Sequence, residues 1–314
     1  MRSEHDIRYE NGNVFKIVQF TDIHWSTGGE EDQRSRALMN EVLDAEKPDL
    51  VVFTGDTIYS HHCADPAASF REAVSAPETR GIPWVAVYGN HDTESGITRE
   101  QLSKLQKSCK HSLAERDAEH CGDPGDFTLL LKTSDGGIDK ALYFFDSGSY
   151  SDTRAGGYAA FRRSQIDWYV RQSVKLERWC GHKVPSLAFF HIPLPEYAEV
   201  WNAGNCCGHK HEDVCCPKLN TGMFAAMVER GDIMATFVGH DHINDFCGEW
   251  YGIHLCYGRA TGYNTYGKEG FARGARVIAL TEGEPGFVTW LRLAGGEVVH
   301  QNSGARSERK RLSG

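Results

Sequence analysis

Five short polar words, each standing directly behind an apolar run, constrain this chain more than any other feature. They are Thr21-Asp22-Ile23-His24, Thr54-Gly55-Asp56, Tyr88-Gly89-Asn90-His91-Asp92, Phe190-His191-Ile192 and Gly239-His240-Asp241-His242. Strand-like runs cover Val14–Phe20, Leu50–Thr54, Trp84–Tyr88, Ala141–Phe145, Leu187–Phe190, Ala235–Val238, Ile253–Tyr257 and Arg276–Leu280. They are short and often apolar throughout, as in sheets covered on both faces. Between them lie helical patterns. One, about Asp32 to Glu46, carries Leu38, Val42 and Ala45 at i, i+4, i+7, with Pro48 past its end. A second starts at Ser164, with Asp167 three residues on as a capping-box signal. Its apolar face is Ile166, Tyr169, Val170 and Val174. A third, from about Gly222, buries Phe224, Met227 and Val228. Strands alternating with helices predict an α/β fold. In such folds ligands bind beyond the carboxyl ends of strands, so five loops distant in sequence can meet at one place.

What meets there is two carboxylates (Asp22, Asp56), one amide (Asn90) and four imidazoles (His24, His191, His240, His242). That inventory suits two adjacent divalent ions, with Asp56 placed to touch both. Asp22 and His24 are two apart, so on an extended strand they project to one side; His240 and His242 share that spacing. A histidine alone in a glycine-rich turn is ordinarily structural or solvated. Taken together, the words read as a two-metal phosphoester hydrolase that uses Fe, Mn or Zn.

Composition narrows the class. A net charge of −9 argues against a nucleic-acid backbone as partner, because such binders present basic faces. No apolar run approaches the ~20 residues of a membrane span. Residues 1–12 are polar and lack the apolar core of a signal peptide, which gives a cytoplasmic expectation. No linker divides the chain, so residues 1–300 are read as one domain. Residues 301–314, with Arg306, Arg309, Lys310 and Arg311, are read as a frayed basic tail.

Several features keep competing readings. Cys256, inside an apolar run, is read as a buried thiol that packs as a small apolar group. The stretch Cys206-Cys207 to Cys215-Cys216, with His209 and His211, allows a structural zinc, a disulfide between the pairs, or free thiols. Asp241, Asn244 and Asp245 serve the turn around the last word, and His61 and His62 a solvated loop. Arg259, Arg273 and Arg276 suit either a substrate phosphate or structural salt bridges, Arg259 being the best placed for phosphate.

The five words in this order resemble the metallophosphoesterase superfamily, the calcineurin-like phosphoesterases. The resemblance is fullest with the small single-domain, purple-acid-phosphatase-like branch. It is carried by Lys47-Pro48-Asp49-Leu50 to Asp56, Ile82-Pro83-Trp84 to Asp92, Phe190 to Glu196, Gly239 to Gly248 and Leu255-Cys256-Tyr257-Gly258. It implies a four-layer αββα sandwich with the dimetal site at one edge. Asp22, His24, Asp56 and His242 would hold the first metal, and Asp56, Asn90, His191 and His240 the second. His91 would face the substrate as general acid, with Asp92 orienting it, and a hydroxide held at the metals would attack phosphorus. The implied activity is a phosphomonoesterase acting on a small phosphorylated substrate or phosphoprotein. A phosphodiesterase for a nucleotide or lipid headgroup, and a non-enzymatic metal-binding scaffold, are the alternatives. In purple acid phosphatases a tyrosine at the offset of Tyr59 binds ferric iron and gives the colour, and those enzymes lack the first-word histidine. Here His24 is present. An imidazole binds divalent ions without losing a proton, whereas a phenol must lose one. His24 is therefore expected as ligand and Tyr59 as a packed neighbour.

Overall fold

The computed structural model describes residues 7–9, 13–114 and 124–301. In chain order the strands are Ile7–Arg8 (β1), Val14–Phe20 (β2), Leu50–Thr54 (β3), Trp84–Val87 (β4), Phe127–Lys132 (β5), Ile138–Phe144 (β6), Ser186–Phe189 (β7), Cys206–Cys207 (β8), Ile233–Val238 (β9), Cys247–Trp250 (β10), Ile253–Tyr257 (β11), Gly274–Thr281 (β12), Val288–Leu293 (β13) and Val298–His300 (β14). The helices are Glu30–Glu46 (α1), Pro66–Ala73 (α2), Ser75–Arg80 (α3), Arg99–Ser108 (α4), Arg163–Cys180 (α5), Glu196–Asn202 (α6) and Met223–Arg230 (α7). Two sheets result, in the orders β14-β13-β12-β2-β3-β4 and β1-β5-β6-β7-β9-β11-β10-β8.

Strand alternation builds the layers. In β2, Phe15 and Ile17 face the space between the sheets, while Val18 and Phe20 face helices. In β3, Leu50 and Val52 point inward and Val51 and Phe53 outward. Residues of both parities are thus apolar, which is why these strands read as unbroken hydrophobic runs. Leu38, Met39, Val42 and Leu43 of α1 cover the outer face of the first sheet, with Phe70 of α2 and Leu102 of α4. Ile166 and Tyr169 of α5, Tyr197 of α6 and Met227 of α7 cover the second. Helix, sheet, sheet, helix is the expected four-layer αββα sandwich.

Several local expectations are corrected. Ala45 of α1 is exposed, and Leu43 and Met39 take its place in the core. The cap of α5 is not Ser164 with Asp167: the helix starts one residue earlier, and Gln165 Oε1 accepts from the Arg162 N–H at 2.9 Å. Val228 is exposed, leaving Phe224 and Met227 as the buried face of α7. Cys256 is not a lone thiol. It faces Cys247 across the antiparallel β10–β11 pair, and the two form a disulfide. Among the described residues, Cys206, Cys207, Cys215 and Cys216 form no disulfide with one another; Cys121 lies outside the described residues. Of the expected basic tail, Gln301 is buried and accepts from Arg276 Nη2 at 2.7 Å. Residues 302–314 lie outside the described residues. Among the described residues no helix is long and apolar enough to cross a membrane.

Candidate metal centre at the seam of the two sheets

The five words do sit just past the carboxyl ends of strands. Asp22 and His24 follow β2, Asp56 follows β3 and Asn90 follows β4, three parallel neighbours of the first sheet. His191 follows β7 and His240 and His242 follow β9, parallel neighbours in the second. The loops converge where the two sheets meet. Gln19, near the end of β2, spans the gap by donating to Thr54 Oγ1 at 2.8 Å and to Val238 O at 3.0 Å. The backbone N–H of His240 reaches across to the Asp22 carboxylate at 3.1 and 3.2 Å.

The route by which Asp22 and His24 reach the site differs from the sequence expectation. Neither is extended: φ is 54° at Asp22 and 51° at His24, with 47° at Asp56 and 79° at His240. Left-handed backbone at a non-glycine residue costs free energy and persists only when the surroundings impose it. Here ladder-like bonds impose it, Asp22 N to Gly55 O at 3.1 Å and His24 N to Asp56 O at 2.9 Å. A side chain at Gly89 would place its Cβ 2.1 Å from Asp56 Oδ1 and 2.5 Å from Asp56 N. Only glycine permits that approach.

Two groups of ligand atoms result, each within 4.8 Å of one another: Asp22, His24, Asp56 and His242, and Asp56, His191 and His240. Asp56 belongs to both. His24 Nε2 lies 3.3 Å from His242 Nε2 and 3.6 Å from Asp56 Oδ2. His191 Nε2 lies 3.1 Å from Asp56 Oδ2 and 3.2 Å from His240 Nδ1. His242 Nε2 stands 3.5 Å from Asp22 Oδ1. Neighbours fix the rings from behind. His191 Nδ1 donates to Thr54 O at 2.8 Å, and His242 Nδ1 meets Thr265 Oγ1 at 2.6 Å. Such supports orient imidazole ligands.

The polar inventory fits bound cations. All seven residues are buried, yet Asn90 Oδ1 lacks a hydrogen-bond donor, and Asp56 Oδ2 faces the imidazoles of His191 and His24. Buried polar atoms rarely stay unsatisfied without a reason. Burial holds His24 and His240 down to about 3, so both present neutral lone pairs at neutral pH. Burial alone would raise the Asp56 carboxyl, but the imidazoles of His191 and His24 outweigh it and hold it well below its ordinary value. Asp22 is likewise held at about 2, where His242 outweighs burial. Burial favours neutral His191, but the Asp56 carboxylate overrides it and raises the ring to about 9. The proton so retained on Nε2 is the one a cation between these groups would displace.

His91 is half-exposed at the rim, its ring 5.2 Å from that of His24 and 4.9 Å from that of Tyr59. Asp92 does not orient it. The Asp92 carboxylate is buried and turned inward, accepting from Ile58 N at 2.9 Å and Gly89 N at 2.7 Å. The carboxylate beside His91 Nδ1 is Glu94, at 2.9 Å. Tyr59 packs edge-on to His24, with ring centroids 5.6 Å apart. A cleft of ≈ 570 Å³ adjoins the His240 side and is lined in part by Ser149, Tyr150, Tyr158, Arg99 and Arg162. The Tyr158 ring meets His240 edge to face at 4.4 Å.

The remaining candidates are structural. Arg259 pairs with Asp245, donates to Ala272 O and lies over the Phe271 ring. Arg273 donates to the carbonyls of Thr265 and Tyr266, and Arg276 to those of Tyr257 and Asp245. Asp241 accepts from Tyr257 Oη and from Cys215 N, and burial pushes its carboxyl up to about 7. Asn244 and Asp245 anchor the 206–216 loop through His211 N and His209 N. His61 and His62 form an exposed turn. Among the described residues, neither metal-competent group includes a cysteine. Sequence reasoning missed Glu94, Tyr150, Tyr158 and Thr265, because their motif neighbours carry no sign of them.

Two stacked sheets with overlapping Asp/His groups at their shared edge define a metallophosphoesterase. Residues 15–244 match the family model described as calcineurin-like phosphoesterase, and the chain belongs to that family. It is 36% identical over 91% of its length to a protein of Arabidopsis thaliana named probable inactive purple acid phosphatase 29, covering 84% of it. It is 32% identical over 90% of its length to phosphatase DCR2 of Saccharomyces cerevisiae, covering 54% of that protein. Its fold is similar to that of a dimetal phosphatase from Danio rerio, with a TM-score of 0.57, 12% identity, and coverage of 88% of this chain and 98% of that one.

Proposed function

We propose that this protein is a dimetal-dependent phosphomonoesterase. The observation that carries the reading is the pair of buried ligand groups sharing Asp56; a cleft of ligand size lies next to them, its Tyr158 against His240. Asp22, His24, Asp56 and His242 would hold one cation, and Asp56, Asn90, His191 and His240 the other. When bound, such cations, Fe, Mn or Zn, supply Lewis acidity toward phosphate oxygens and acidify a bound water. The chain's own residues do the rest. His191 keeps Nδ1 committed to Thr54 O, so Nε2 faces the shared carboxylate. His91, at the rim, holds a proton for the departing alkoxide. Tyr150 and Tyr158 wall the space for the rest of a small phosphorylated substrate or a phosphorylated side chain.

The names of several relatives favour a second reading. Three Arabidopsis thaliana proteins at 32–36% identity are called probable inactive purple acid phosphatases, which points to a metal-binding scaffold. The intact ligand set of this chain speaks for catalysis. Metal analysis of the purified protein, coupled to a panel of phosphomonoesters and phosphodiesters, separates the readings. Two metals per chain with faster monoester turnover is the expected result. Faster diester turnover makes it a phosphodiesterase, and two metals without turnover makes it a scaffold.

A further inference from the structure

Resting on the phosphatase reading, one question is what holds the His91 ring, since Asp92 is turned away from it. We propose that Glu94, braced by Tyr150, is the positioning residue for the His91 imidazole and, through Tyr150, for the Asn90 amide. Glu94 Oε2 stands 2.9 Å from His91 Nδ1, a close contact without hydrogen-bond alignment. Its other oxygen, Oε1, accepts from the Tyr150 hydroxyl at 3.1 Å. The same phenol oxygen accepts from Asn90 Nδ2 at 3.4 Å. One short chain of contacts therefore joins a proposed ligand, the tyrosine wall of the cleft, a carboxylate and the rim histidine.

The chemistry of each link is specific. With Nδ2 of Asn90 directed to Tyr150, its Oδ1, buried and without a donor, is the atom left for a cation. With Glu94 at Nδ1 of His91, Nε2 is the nitrogen left to meet a substrate. The turn that carries both residues is pinned from behind. Ser60 Oγ accepts from Glu94 N at 2.9 Å and donates to His91 O at 2.6 Å. The alternative, an ion pair kept for stability, is weak. The side chains of His91 and Glu94 remain 27% and 21% exposed, and pairs in contact with water add little to folding.

The test uses the full chain loaded with zinc, as wild type, Glu94→Ala, Glu94→Gln and Tyr150→Phe. It reads imidazole ¹⁵N resonances, metal content, unfolding midpoint, and kcat on 4-nitrophenyl phosphate and on an alkyl phosphate. Glu94→Ala is expected to move the His91 resonances while metal content and midpoint hold. Its kcat on the alkyl ester should fall about 10–100-fold further than on the nitrophenyl ester, whose leaving group needs no proton. Glu94→Gln keeps an oxygen at Nδ1 and should retain most of the rate. Tyr150→Phe should lie between. Unmoved His91 resonances in Glu94→Ala, or equal losses on both esters, overturn the proposal. If the wild-type protein hydrolyses neither ester, the phosphatase reading falls, and the resonances alone decide whether Glu94 holds His91.

Discussion

Asp56 is the one side chain common to both ligand groups. Asn at this position has a single oxygen acceptor and no charge. Asp56→Asn is therefore expected to lose at least one metal and nearly all hydrolysis while keeping a native circular dichroism spectrum. Two retained metals with near-normal turnover would sink the bridging role. Tyr59 makes the opposite prediction. Its ring packs beside His24, a member of the first group. Tyr59→Phe should hold both metals, and the iron-loaded wild type should show no intense visible band. A charge-transfer band lost in Tyr59→Phe would move this chain toward the purple enzymes. At this scale the convergence of Asp22, His24, Asp56, His191, His240 and His242 was legible from their words. The backbone under them was not: spacing suggested extended geometry at Asp22 and His24, and the structure has left-handed residues there. Period-two reasoning holds inside a strand and fails beyond its end, at Asp22 and His24 past Phe20.

At the scale of elements, fully buried strands were legible, and partly exposed or very short ones were not. β2, β3 and β11 have the bounds their apolar runs suggest. β1, β5, β8, β10, β13 and β14 escaped notice. Partly exposed strands such as β5 and β13 mix polar with apolar residues, and two- or three-residue strands give no periodicity. The Cys247–Cys256 disulfide escaped for a related reason, since it depends on cross-strand register rather than on either run. One contact between α1 and the first sheet supports a pH prediction. Glu46, at the end of α1, lies 3.2 Å from Lys16 Nζ of β2 and 2.6 Å from Arg292 Nη2 of β13. Burial would raise this carboxyl, but hydrogen bonds from Trp290, Arg292 and Lys16 outweigh it and lower it. A lowered folded pKa contributes stability above the ordinary carboxylate range, and that stability is lost as pH falls through the folded value. Glu46→Gln should cost about 1–2 kcal/mol near neutrality, discounted for the solvent that reaches Lys16 and Arg292. The gap to wild type, read from denaturant midpoints, should close as pH falls below that range. A gap that widens in acid would refute the assignment.

Across the whole molecule, the metal-ligand words come from strands of two different sheets. Cations bound there would join the layers, because each group takes ligands from both. Ligands that bind only the folded state add stability by mass action, about 2.7 kcal/mol at a hundredfold excess over Kd. Chelation should therefore lower the unfolding midpoint, and re-addition of metal should restore it. The same midpoint with and without chelator would argue that neither group holds a cation in solution.

The seam also has a consequence for how the protein is made. Asp22, His24, Asp56 and Asn90 are the first of the seven to be synthesised, whereas His191, His240 and His242 come at least a hundred residues later. β12, which pairs with β2 in the middle of the first sheet, comes later still. A ribosome-bound chain halted before residue 191 lacks His242 from the first coordination set and both His191 and His240 from the second. Metal uptake would then act as a checkpoint for maturation, closed to any polypeptide whose distant halves have not yet docked.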